Sequence, residues 1–233
     1  MKDGPSADMT KSGFPLSADR PYYIDMFSQI INDVIYRSIR EKAVVLMSWD
    51  IVGFDPHKND LNRVFYSELK TLFKMLNAVG VAIVVSQPND IRCTGPPCWF
   101  SDPGQGPDYM HWVISVGSVD INTGRMVVEF PNRDVSTNIY GPAADSGSYP
   151  MDFTCPDYAG TGNNPLTYDG TSSATAFVAG LMAYYKGLGL SDQASRGKLW
   201  RDAYARVPGE PRYIWNGART GQVPQTGGAC AQH

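Results

Sequence analysis

Apolar side chains recur with helical spacing from Ile24 to Glu41, where Ile24, Phe27, Ile31, Val34 and Ile35, with Ser38 at the end of the stripe, fall on one face. The run "AVVLMSW", Ala43–Trp49, is continuously apolar and too short for a second helix, so it predicts a strand buried on both faces, as in a parallel sheet. After the polar connection "DPHKNDLNR" a second helical stripe follows: Phe65, Leu69, Leu72, Phe73, Leu76 and Val79, closed by Gly80 as its C-cap. "VAIVVSQ", Val81–Gln87, is the next buried strand and is stopped by Pro88. Helix–strand–helix–strand is the signature of a parallel sheet covered by helices.

Further along, a loop rich in Pro, Gly and Cys precedes the third strand, "HWVISVGSVD" (His111–Asp120), which ends in the turn "NTG". "RMVVEF" and "VSTNIY" read as shorter strands, followed by a long loop of Gly, Asn and Pro. A helix over residues 191–205 and the connection "RVPGEPRYIWNG" close the pattern. Residues 1–20 read as a disordered or docking arm, 21–218 as one α/β domain and 219–233 as a loose tail. There is no internal repeat and no sign of a second domain.

Composition narrows the function classes. With 233 residues, 42% of them hydrophobic, the chain is long enough for one sizeable core. A net charge of -3 without a basic tract gives no reason to expect a nucleic-acid partner. No apolar run approaches the ~20 residues of a membrane helix. Residues 1–20 hold no signal-type apolar segment, which fits a cytosolic protein or a chain that begins after a processing boundary. Cys93 and Cys98 bracket "CTGPPC", a stiff loop that a disulfide could close; a metal site there would need more ligands than the sequence places nearby. A Cys155–Cys230 pairing is a further alternative.

The stretch with candidate chemistry is "YDGTSSATAFVAGLMAYY", Tyr168–Tyr185. A hydroxyl-bearing turn runs straight into an apolar helix whose buried face is Ala174, Val178, Leu181, Met182 and Tyr185, with Ala179 and Gly180 allowing close contact. Serine at a helix N-terminus is first of all an ordinary cap. The same position also suits a nucleophile, because unpaired N–H groups and the helix dipole favour negative charge developing there.

"GTSSATAFVAG" resembles the serine motif of the subtilisin-like (S8, subtilase) peptidases, in which Gly-Thr-Ser-x-Ala precedes Val-Ala-Gly. "VVLMSW" is similar to the family strand that lines the substrate cleft. "GVAIVVSQPND" is similar to the strand ending in the oxyanion asparagine, "WVISVGSVDINTG" to the family's Val-Gly-Ala-Val-Asp strand and turn, and "VSTNIYGPAA" to its Ala-Pro-Gly segment. The matches follow family order over about residues 24–217. The resemblance implies a partial subtilisin-like α/β fold with a mostly parallel sheet. It implies that Ser172 is the nucleophile and Asn89 the side-chain donor to the oxyanion, with Ser48, Trp49, Gln87 and Gly170 along the substrate cleft. Loss of one oxyanion donor costs about 10²–10³ in kcat, a figure set by subtilisin itself. The resemblance also makes calcium possible, implies a peptide or protein substrate, and leans towards secretion. No other cofactor is expected.

The family's Asp-x-Gly and His-Gly-x-His settings find no counterpart. Asp3–Gly4 has no strand before it, His57 follows the strand ending at Trp49, His111 opens a strand, and His233 is the last residue. The cleft departs from the family pattern as well: Trp49 and Asp50 replace small residues, Pro88 replaces a glycine, and Ala176 and Phe177 stand where proline and histidine are common. The expectation is the serine-bearing C-terminal portion of a subtilase domain, close to inert alone. Its bare sheet edge would be covered by a companion chain, a second copy or the N-terminal arm. The alternatives are a degenerate subtilase fragment acting as a binding or assembly module and, more remotely, an unrelated hydrolase built on Ser172.

Overall fold

Helix α1 spans Leu16–Tyr36, strand β1 Val44–Met47, helix α2 Asp60–Ala78, and strands β2, β3 and β4 Ala82–Ser86, Val113–Asp120 and Ile139–Ala143 in this computed structural model. The structure describes residues 16–49, 51, 55–88, 93, 95–120, 137–143, 152–153, 166–167, 170–204 and 212–214. Short strands β5 (Asp152–Phe153) and β6 (Leu166–Thr167) pair with each other; helices α3 (Gly170–Gly187) and α4 (Asp192–Asp202) then lead to β7 (Ala203–Tyr204) and β8 (Tyr213–Ile214). The main sheet has the order β1-β2-β3-β4-β8-β7. The first five of these strands run parallel, and β7 is antiparallel to β8. The parallel sheet flanked by helices is what the pattern predicts, and it agrees with the partial subtilisin-like α/β fold that the resemblance implies.

The helices end where the backbone turns left-handed. α2 stops with Gly80 at φ 75°, its N–H bonded to the Asn77 carbonyl and that of Val81 to the Leu76 carbonyl. These two bonds satisfy carbonyls that the last turn would otherwise leave open. α1 ends in the same way one position after Arg37, with Ser38 at φ 54° and the Ile39 N–H reaching back to Val34. That turn is why the helix closes at Tyr36 instead of continuing to Glu41. At its other end α1 takes in residues 16–20, which the sequence pattern placed in the arm.

Two cores lie on opposite faces of the sheet. On one, Phe27, Ile31 and Val34 of α1 and Phe65, Leu69, Phe73 and Leu76 of α2 pack against Met47, Ile83, Val85 and Val113. On the other, Ala174, Val178 and Met182 of α3 and Leu199 of α4 pack against Ala82, Val84, Ile114, Val116 and Ile139. Strand β2, apolar without interruption, has every residue buried because both cores use it. Each fully buried Leu or Phe contributes about 1.5–3 kcal/mol. The serine helix buries Thr175 and Ala179 along with the expected apolar face, while Leu181 is only half-buried. Lys186 on α3 is sealed inside, donating to the Glu41 and Gly80 carbonyls and ion-paired with Asp192, so α3 and α4 are pinned to the turns that enter β1 and β2.

β1 corrects one expectation. The strand is shorter than Ala43–Trp49 and is not buried on both faces: among the described residues it lies at the sheet edge and pairs with β2 alone, with Leu46 41% exposed. An unbroken apolar run specifies a strand but cannot say whether a neighbour covers both of its sides. The strand read at "VSTNIY" begins later, at Ile139, and continues through Pro142. "RMVVEF", the arm over residues 1–15 and Cys155 and Cys230 lie outside the described residues.

Candidate active site

All the parallel strands present their C-terminal ends on one rim, and α3 begins there. Gly170 opens the helix at φ 75°, a left-handed conformation that a side-chain-bearing residue adopts only with strain. Thr171, buried, donates its hydroxyl to the Gln87 carbonyl at 2.5 Å, just past the end of β2. Thr175 donates to the Thr171 carbonyl at 2.6 Å, one turn on. Gly141 of β4 lets the helix approach: a Cβ there would stand 2.6 Å from the Ala174 carbonyl oxygen. The first turn of α3 is thus fixed against two strands. It leaves Ser172 exposed on the outer side of that turn, with Ser173 half-buried beside it. The positive end of the helix dipole lies at this serine.

The remaining candidates fall into distinct settings. Along β1, Val45, Met47 and Trp49 belong with the α1/α2 core and Val44 with the α3 core. Continuing that alternation, exposed Ser48 lies on the α3 side of the sheet, the side of Ser172. The Trp49 ring packs 4.9 Å from that of Tyr23 on the opposite face. Gln87 is 0% exposed; its N–H donates to the Val116 carbonyl and its own carbonyl receives Thr171, so its backbone serves as the post for α3. Asn89 and His233 lie outside the described residues. His57 is exposed in the β1–α2 connection. His111, also exposed and edge-on to Trp112, precedes β3 at the end of the sheet opposite Ser172. The structure therefore brings Ser172, Gly170 and the Gln87 backbone together and carries His111 away from them.

Cys93 and Cys98 form a disulfide with Cα atoms 5.9 Å apart. The carbonyl of Pro96, inside this ring, accepts the N–H of Ile51 at 2.9 Å. Among the described residues no group of three or more His, Cys, Asp or Glu converges on a point where a metal ion would be held. Two positions had drawn no role from the sequence: Thr171, whose hydroxyl ties the helix down, and Gly141, whose missing side chain lets it dock. Both stood inside quoted motifs, but their signal is a tertiary contact.

These features define an α/β fold of the serine-peptidase type, with a serine on the first turn of the helix crossing the rim of a parallel sheet. The sequence model of the subtilase family matches residues 25–203, and the chain belongs to that family. Comparison with curated proteins returned no match. Among solved structures, the nisin leader peptidase NisP from Lactococcus lactis is similar over 84% of this chain and 60% of its own, with TM-score 0.54 and 18% identity. Sphericase is similar over 77% of this chain and 54% of its own, with TM-score 0.45 and 16% identity. The chain thus spans three fifths or less of the length of these two structures.

Proposed function

We propose that this chain is the nucleophile-bearing part of a subtilase-type serine endopeptidase, with Ser172 as the attacking hydroxyl. The observation that carries this reading is the Thr171–Gln87 hydrogen bond, which holds an exposed serine of a Gly-Thr-Ser motif at the rim of the sheet and at a helix N-terminus. In the reaction the Ser172 Oγ attacks a peptide carbonyl, and the charge that develops on the carbonyl oxygen is stabilised by the Ser172 backbone N–H and the Asn89 side chain. The Ser172 proton must go to a base. His111 sits at the wrong end of the sheet, and in this reading the base comes from the family's Asp- and His-bearing segments, supplied by another chain or by a nicked precursor. Without them Ser172 remains a weakly nucleophilic hydroxyl; in subtilisin itself, loss of the triad histidine costs about 2 × 10⁶ in kcat.

Among the described residues β1 has a neighbour on one side alone, and this supports a partner. Leu46 is exposed there, and a groove of about 640 Å³ runs between β1 and α1, lined among others by Met26, Ile30, Val34 and Val44. The same edge favours the second reading, a binding or assembly module that covers β1 with a companion or a second copy and performs no chemistry. A disulfide within the fold agrees with an oxidising, extracellular setting. The two readings separate on one experiment. Adding a polypeptide with the family's Asp and His segments produces casein cleavage that Ser172→Ala abolishes, if the first is right. Cleavage that survives Ser172→Ala, or a tight complex with no cleavage, rejects it.

A further inference from the structure

The segment leaving β1 and the loop after β2 are joined by a contact that neither strand pairing nor helix packing requires. The Ile51 N–H donates to the carbonyl of Pro96, and Pro96 lies within the six-residue ring closed by Cys93 and Cys98. Gly95, Pro96, Pro97 and Cys98 are buried, and Cys98 packs in the α1/α2 core along with Phe100. The ring is anchored a second time, by the bond from the Trp99 N–H to the Gly95 carbonyl. On the other flank of the segment, Trp49 rests on Tyr23 of α1. Trp49 and Ile51, which flank the end of this segment, are therefore held from two sides, by an aromatic contact and by a backbone bond to a covalently closed ring.

We infer that the Cys93–Cys98 ring is the positioning element for Ser48, Trp49 and Ile51 at the wall of the candidate cleft, so that the bridge sets how well an extended peptide is held next to Ser172. The inference rests on the cleft reading given above and adds the pair that maintains its wall. An extended peptide binds by backbone hydrogen bonds to a strand-like edge, and such bonds need that edge held in register. An open hexapeptide rich in Pro and Gly has no fixed carbonyl to offer Ile51. A ring restricts the loop, and burial of Cys98 seats the restricted loop in the core. Cys93 is half-buried and Cys98 fully buried, so a reductant reaches the bridge from the Cys93 side. The Thr171–Gln87 tie lies on the opposite face and does not pass through the ring, which lets the wall loosen while the serine helix stays in place.

The test compares the oxidised chain with the same chain reduced by a phosphine, which converts the bridge to two thiols and is itself oxidised to the phosphine oxide with oxygen from water. Cys93→Ser/Cys98→Ala serves as a second route in case reduction is incomplete. Residue-resolved amide exchange should show the Ile51 amide opening about tenfold faster, with Val84 and Ile114 unchanged. An Ile51 amide that does not respond overturns the inference. So does a uniform rise across β2 and β3, which would make the bridge a global staple. Binding of an acylated apolar tetrapeptide amide is measured on both forms. Binding that weakens on reduction supports positioning. Binding that is equal in the two forms overturns it. No binding in either form rejects the cleft assignment while leaving the exchange result to decide the coupling.

Discussion

The Thr171 hydroxyl lies 2.5 Å from the Gln87 carbonyl oxygen, joining the first turn of α3 to the residue that follows β2. Eighty-four positions separate the two in the chain, and the bond closes that distance at the rim where Ser172 is exposed. Thr171→Val keeps the shape and removes the donor, leaving a buried carbonyl short of a partner. A loss of about 1–3 kcal/mol is expected in urea unfolding, with Thr171→Ser retaining most of the stability. Equal stability of the Val and Ser variants would mean that the hydroxyl does not hold the helix.

Gly141 sets the height of the same helix above the sheet. A methyl group at this position meets the Ala174 carbonyl oxygen at 2.6 Å, a backbone atom that a side-chain rotation cannot clear. Gly141→Ala should therefore lower stability by about 1–3 kcal/mol through overpacking. Gly180, on the same helix, has open space within 4 Å of the position a methyl group would take, and Gly180→Ala should be neutral or slightly stabilising. Thermal unfolding of the pair checks this, and similar shifts for both would contradict the close approach of β4 and α3.

A pH dependence follows from the far end of the α1/α2 core. Asp108 accepts from Lys70 at 2.5 Å and from Tyr66 at 2.9 Å. Burial raises the Asp108 pKa, but the hydrogen bonds from Lys70 and Tyr66 outweigh it and hold the carboxyl below its usual value of 3.8. Burial and the Asp108 bond push the Tyr66 phenol well above its ordinary range. Because the folded pKa of Asp108 is depressed, its contribution is complete above the unfolded value and is lost as pH falls through the folded one. Asp108→Asn should flatten the acid limb of the stability curve below about pH 4, and Tyr66→Phe should do so in part. An unchanged acid limb in Asp108→Asn would remove this account.

Much of the architecture was legible because it rests on local pattern. The alternation of helical stripes with apolar runs gave α1, α2, β2 and β3, and Gly80 marked the end of α2. The motif around Ser172 gave the start of α3 to within one residue. What escaped depends on contacts between distant residues. The exposure of Leu46 reflects the place of β1 at the end of the strand order among the described residues, which an apolar run does not encode. The end of α1 at Tyr36 depends on Ser38 adopting a left-handed turn, a conformation more often signalled by glycine. β7 and β8 are two residues each, too short to show a period. At the site, the serine was read from its motif, whereas its fastening through Thr171 and Gln87 and the link from Ile51 to the disulfide ring became visible only once the chain was folded.

The central proposal is that Ser172 is a nucleophile whose base comes from the family's Asp and His segments, on another chain or on a nicked precursor. Labelling with a fluorophosphonate tests it most directly, because the reagent reports an activated hydroxyl and not merely an exposed one. With the site of modification located by mass spectrometry, the isolated chain should label at background rate. A polypeptide carrying the Asp and His segments should raise the rate at Ser172, and Ser172→Ala should remove the gain. Rapid stoichiometric labelling of Ser172 in the isolated chain would contradict the account by revealing a base within these residues, with His57 the first to mutate.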